Sequence, residues 1–101
     1  MLGVIPNLKH QHLDSKNAKL VSVDIYVLPG CPWSKRAVKL LDSHHIKYNY
    51  NLITNDEEFE KISNITSINS FPQIFINDKF IGGFSELEDL SANGDLIKLI
   101  Q

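Results

Sequence analysis

The stretch Leu28-Pro29-Gly30-Cys31-Pro32-Trp33-Ser34-Lys35-Arg36 decides the fold, and Cys31 at its centre is the only cysteine of the chain. Ahead of it, Val21, Val23, Ile25 and Val27 alternate with Ser22, Asp24, Tyr26 and Leu28. Period 2 with β-branched residues on one face predicts a strand, and Pro29-Gly30 ends it. Behind the cysteine, Ala37, Val38, Leu40 and Leu41 form an apolar stripe at helical spacing, so a helix is expected from about Ser34 to His44. Pro32 lies where that helix first turns, a place that tolerates a missing N–H. The thiol is therefore expected on a turn that opens a helix. Unpaired N–H groups and the helix dipole favour a thiolate there, and the thiolate is the reactive form. Position alone leaves two readings of Cys31: a nucleophile with a lowered pKa, or a buried and inert small hydrophobe.

The chain has 101 residues, is 43% hydrophobic and carries a formal net charge of -2. That is one domain with a single core. The charge gives no reason to expect a nucleic acid or an anionic membrane as partner. One cysteine rules out an internal disulfide, and the lack of a cysteine framework suits a reducing compartment. Met1 to Lys19 lacks the pattern of a signal peptide, with Pro6 and Asn7 breaking its apolar start. No apolar run is long enough to span a bilayer. A cytoplasmic protein is expected. His10 and His12 lack a third ligand and read as surface residues, not a metal site.

Further along, residues Ile46 to Leu52 alternate again and predict a second strand. Strand, helix, strand in this order predicts a parallel pair joined by a right-handed crossover. Thr54-Asn55-Asp56-Glu57 has the form of a capping box. It opens a helix whose apolar residues are Phe59, Ile62 and Ile65. Asp56, Glu57 and Glu58 suit the positive end of that helix and are not read as catalytic carboxylates. Thr66 to Ser70 is a polar loop. Gln73 to Ile76 and Lys79 to Ile81 flank Asn77-Asp78 as a β-hairpin. Gly82-Gly83 allows backbone forms that side chains forbid, and close approach by a ligand. Ser85-Glu86-Leu87-Glu88 reads as a second capping box, placing a helix start at Ser85 or just after it. Gly94 suits its stop, and Asp95 to Ile100 forms a short final helical segment. The expected fold class is α/β, a four-stranded mixed sheet flanked by helices in the order β-α-β-α-β-β-α.

Three blocks carry a resemblance: Tyr26-Val27-x-x-Gly30-Cys31-Pro32-Trp33-Ser34, Ser70-Phe71-Pro72-Gln73-Ile74-Phe75-Ile76, and Ile81-Gly82-Gly83-Phe84-Ser85-Glu86-Leu87. In this order and on these elements, the chain resembles the glutaredoxin family of the thioredoxin fold. The resemblance covers roughly Val21 to Gln101, so residues 1–19 are an N-terminal extension and 20–101 a glutaredoxin-like domain. It implies a glutathione-dependent thiol-disulfide oxidoreductase, with glutathione and glutathionylated proteins or small disulfides as partners. It implies that Pro72 is in cis and faces the active thiol, and that the Phe71 backbone pairs with glutathione beside Cys31. Gly83 and the following helix start would hold the γ-glutamyl end, where Ser85 and Glu86 match the family's polar pair. Ser85 reads equally as a helix cap, and both roles can coexist. Trp33 stands where the family usually has tyrosine, either packing on glutathione or standing as an exposed wedge.

Departures from the family pattern narrow the mechanism. Ser34 replaces the second motif cysteine, which excludes dithiol cycling and leaves a monothiol route. It either donates a hydrogen bond to the Cys31 thiolate or is a simple helix residue. Leu28 stands where family members often have a lysine, and Asn69 lies in a segment that usually supplies an arginine or lysine for the glycyl carboxylate. Loss of those cations is expected to weaken glutathione binding. Lys35 and Arg36 are not placed by the motif and read either as compensating cations or as solvated helix charges. Two alternatives accompany the monomeric oxidoreductase. One is a dimer bridged by a [2Fe–2S] cluster on two Cys31 thiolates and two glutathiones. The other is a redox-inactive binding module built around Trp33 and Phe71.

Overall fold

In a computed structural model, residues 21–100 are described. The elements run β1 (Val23–Val27), α1 (Pro32–Ser43), β2 (Asn49–Leu52), α2 (Asp56–Thr66), β3 (Gln73–Ile76), β4 (Lys79–Gly82), α3 (Phe84–Asn93) and α4 (Asp95–Ile100). The sheet has four strands in the order β2-β1-β3-β4. β1 pairs parallel with β2 and antiparallel with β3, with Ile25 opposite Ile74 and Tyr26 opposite Gln73. β3 and β4 form the expected hairpin, turning on Asn77 (φ 52) and Asp78 (φ 67). Two successive left-handed residues are what a two-residue hairpin with the right twist needs. The mixed sheet flanked by helices matches the expected thioredoxin-like class. His10 and His12, and the boundary drawn after residue 19, lie outside the described residues. Among the described residues no helix is long and apolar enough to cross a membrane.

The alternation in β1 divides the core. Val23, Ile25 and Val27 join Ala37 and Leu41 of α1, Ile74 and Ile76 of β3, Leu87 of α3 and Leu96 of α4. On the other face Tyr26 and Leu28 pack on Ile53, Ile62 and Phe71, with Phe59 of α2 closing the cluster. Each fully buried aliphatic side chain contributes about 1.5–3 kcal/mol.

Helix α1 starts two residues before the expected Ser34 and β4 runs one residue past Ile81, and three further boundaries differ, each for a local reason. The second strand begins at Asn49, not Ile46. Ile46 is spent on closing α1: its N–H reaches Leu41 O at 3.0 Å and that of His45 reaches Asp42 O at 3.0 Å, with His45 left-handed at φ 57. That is the two-bond helix stop usually built on glycine. The cap of α2 falls one residue later than expected. Asn55 accepts from Glu58 N at 2.8 Å, and Glu58 accepts from Thr54 N at 3.0 Å. The expected box on Ser85 is also corrected. Helix α3 starts at Phe84 with Gly83 as its cap, and Glu86 accepts from Gly83 N at 2.8 Å. Ser85 sits inside the first turn and caps nothing.

Candidate active site

Cys31 is the N-cap of α1, in extended backbone (φ -81, ψ 118), and is half-buried. A tight turn delivers it. Cys31 N–H bonds Leu28 O at 3.3 Å, across Pro29 and a left-handed Gly30 at φ 70. Pro-Gly at the middle of a turn supplies the fixed φ and then the positive φ it requires. Cys31 O then accepts from Lys35 N at 3.2 Å, the first rung of α1.

The electrostatics at Sγ oppose one another. Burial pushes the thiol up, while the Ser34 hydroxyl and the backbone N–H groups of Ser34 and Trp33 pull it down; together they hold it below the ordinary value of a thiol. Hydrogen bonds to the charged form favour that form. In the protonated form the thiol instead donates to Phe71 O, at 3.8 Å. Ser34 is 4% exposed, and its Oγ has no hydrogen-bond partner while the thiol is protonated. Ionisation gives that hydroxyl an acceptor.

The Phe71–Pro72 bond is cis. Beyond it a groove of about 730 Å³ is lined by Trp33, Phe71, Pro72, Gly83, Ser85 and Glu86 among others. Six of the expected ligand residues thus share one surface. Cys31 and Ser34 do not line it; the thiol adjoins it through the Phe71 carbonyl. The start of α3 closes the groove beside the cis-proline turn. There Gly82 holds φ 135, and a Cβ on it would lie 2.6 Å from Glu86 Cγ. The glycine lets Glu86 fold back over the chain to its bond with Gly83. A Cβ on Gly83 would come within 3.2 Å of Pro72 O, so the diglycine also brings this helix start against the cis-proline turn.

Asn69 is exposed and does not line the groove; its neighbours Ile68 and Ser70 do. Leu28 packs into the small core cluster under α2. Trp33 is 51% exposed. It rests near Phe84, ring centroids 5.8 Å apart, with the Arg36 guanidinium 4.6 Å over its ring. Gln73 was not singled out by its sequence. Its side chain is fully buried, and Nε2 donates to Ile68 O at 2.8 Å and Ser70 O at 3.1 Å. It ties the loop before Phe71 to β3. A polar residue inside an otherwise apolar strand, Phe71 to Ile76, was the available signal.

Comparison with known proteins agrees with this geometry. A family model described as Glutaredoxin matches residues 13–81. Glutaredoxin 1 of Rickettsia bellii is 36% identical over 90 residues, covering 83% of this chain and 91% of that protein. A monothiol glutaredoxin-5 of Schizosaccharomyces pombe, described as mitochondrial, is 30% identical over 77 residues, 72% of this chain and 53% of that protein. The solution structure of a glutaredoxin from Brucella melitensis superposes with a TM-score of 0.74 at 34% identity, over 81% of this chain and 90% of that one. The thiol on its helix start, the cis-proline opposite and this likeness over most of both chains lead to one conclusion: the chain belongs to the glutaredoxin family, with its thioredoxin fold and its thiol-disulfide oxidoreductase chemistry.

Proposed function

We propose that this chain reduces glutathione mixed disulfides by a monothiol route, with Cys31 as nucleophile and glutathione as reductant. The observation that carries the reading is the junction at Cys31. A half-buried thiol with favoured ionisation stands 3.8 Å from the carbonyl of Phe71, which lines one groove together with the start of α3. In this reading the Phe71 backbone pairs with that of glutathione, and Trp33 and Pro72 pack on it. Asn69, beside the groove, offers a neutral hydrogen bond to the glycyl end. The γ-glutamyl carboxylate sits at the N–H groups of α3 near Gly83 and Ser85, a natural anion seat. Glu86 receives the ammonium group.

The Cys31 thiolate attacks the glutathione sulfur of the mixed disulfide. The old S–S bond breaks, and the protein thiolate leaves with the electron pair and takes a proton from water. Cys31 now carries glutathione. A second glutathione thiolate attacks that sulfur, releasing oxidised glutathione and restoring Cys31. Ser34 stabilises the thiolate but cannot resolve the disulfide, and no other cysteine exists to do so. The S. pombe relative that is called monothiol supports this route. A reducing, cytoplasmic setting fits a nucleophile that must stay free.

A [2Fe–2S] cluster ordinarily takes four thiolates, which two Cys31 thiolates and two glutathiones would supply across a dimer. Pro32-Trp33, Leu28 and the short Pro29-Gly30 approach depart from the cluster-carrying pattern of the family, so the oxidoreductase reading is preferred. Its test is steady-state reduction of a glutathionylated peptide. Turnover should require glutathione and vanish in Cys31→Ser. Equal turnover in Cys31→Ser, or turnover without glutathione, would overturn it.

A further inference from the structure

We propose that the basic outer face of α1, with Arg36 held over Trp33 and Lys35 and Lys39 exposed on the same helix, docks the leaving half of the disulfide and selects proteins whose reactive cysteine is flanked by acidic residues. The inference rests on the function proposed above and adds its substrate class.

Charge near the thiol is divided between two helices. The charged residues that line the groove are Glu86 and Glu88, and no lysine or arginine lines it. On the thiol's own helix the first turn holds no acidic residue, and Lys35, Arg36 and Lys39 follow, all exposed. Among the described residues the one ion pair joins Lys98 and Asp95, so none of these three cations is held in an ion pair there. Cations near the positive end of a helix work against its dipole. Helix α2 does the opposite, with Asp56, Glu57 and Glu58 in its first turn. Arg36 is held in place, its guanidinium 4.6 Å over the Trp33 ring. That indole lines the groove while Arg36 does not. In the proposed pose, glutathione fills the groove and the other half of the disulfide lies across Trp33 toward Arg36. A basic surface beside a half-exposed indole fits a partner segment bearing carboxylates.

The test uses glutathionylated peptides that differ only in the residues flanking their cysteine: aspartate and glutamate, serine, or lysine. They react with the protein in single turnover without added glutathione. The rate of peptide thiol release is followed, and intact mass shows which half stays on Cys31. At low salt the acidic peptide should react about tenfold faster than the lysine peptide, the lower range of electrostatic steering. The ratio should fall toward one at about 1 M salt, where the Debye length is about 3 Å. It should also collapse in the Lys35→Gln, Arg36→Gln, Lys39→Gln variant. In Lys35→Glu, Arg36→Glu, Lys39→Glu it should invert in favour of the lysine peptide, which loss of stability cannot mimic. Equal rates in the unaltered protein, or a preference that survives these substitutions, would overturn the proposal. Retention of the peptide in place of glutathione on Cys31 would count against the function proposed above, and the rate ratio would still decide the docking surface.

Discussion

The Cys31 sulfur lies 3.8 Å from the carbonyl oxygen of Phe71, so the protonated thiol donates to the residue that precedes Pro72. Only the thiol can make this bond. The thiolate exchanges it for donors on the other side, the Ser34 hydroxyl and the N–H groups of Ser34 and Trp33, and the balance favours ionisation. Losing its proton thus changes the sulfur from a donor to the Phe71 carbonyl into an acceptor from the start of α1.

The pH dependence follows in sign. Alkylation of Cys31 should rise with pH with its midpoint below that of the same thiol in the unfolded chain. The linked effect on folding has the sign of a depressed acid. The stability contributed by the ionised thiol is fully present above the unfolded value and is lost as pH falls through the folded one. The pH profile of iodoacetamide labelling, native against urea-unfolded, checks this. Coincident native and unfolded profiles would contradict it.

Ser34→Ala removes one of the donors to the thiolate and should move that native profile to higher pH. The residue is buried and its Oγ has no partner while the thiol is protonated. The substitution therefore removes an unsatisfied polar atom and should leave thermal stability within about 1 kcal/mol. Slower labelling at neutral pH with an unchanged melting temperature is the expected pair of results.

The strand and helix framing Cys31 were legible because period 2 passes to helical spacing across Pro29-Gly30. The Asn77-Asp78 turn and the Gly94 stop were equally plain, since each rests on a backbone form that few residues adopt (φ 52 and 67, and φ 78). Caps were legible only to within a residue or two. Both Thr54-x-x-Glu57 and Asn55-x-x-Glu58 fit one pattern, and tertiary position chose the second. At α3 the chain used Gly83, whose close approach to Pro72 O depends on a residue distant in sequence. Gln73 was hidden for another reason: its partners are only five and three residues away, but they are backbone carbonyls, which the sequence does not mark as acceptors. Asn69 was placed by likeness of segment, and its own side lies outside the groove lining.

Restoring a cation should strengthen glutathione binding. Asn69→Lys adds an exposed charge beside the groove at little cost to folding. Exposed ion pairs contribute about 0.2–1 kcal/mol, so KM for the glutathionylated substrate should fall by up to about fivefold. Leu28→Lys should show the same sign in KM but lower stability, because Leu28 packs on the cluster of Ile53, Ile62 and Phe71. Steady-state kinetics paired with thermal melting separates the two effects.

Gln73→Leu should loosen the groove wall more than it destabilises the fold. It deletes two hydrogen bonds to exposed loop residues, each contributing about 0.5–1.5 kcal/mol. It also removes a buried Oε1 that has no partner, which offsets a cost of about 1–3 kcal/mol. Global stability should change by less than about 1 kcal/mol, while amide exchange at residues 69–71 accelerates. Hydrogen exchange read by NMR at those amides checks it.

The most direct test of the central claim asks which half of a substrate Cys31 keeps. The protein is mixed with one equivalent of a glutathionylated peptide, quenched with acid and weighed intact. The account predicts that Cys31 carries glutathione and that the peptide is released as a free thiol. Peptide retained on Cys31, or no adduct while the mixed disulfide disappears, would contradict it.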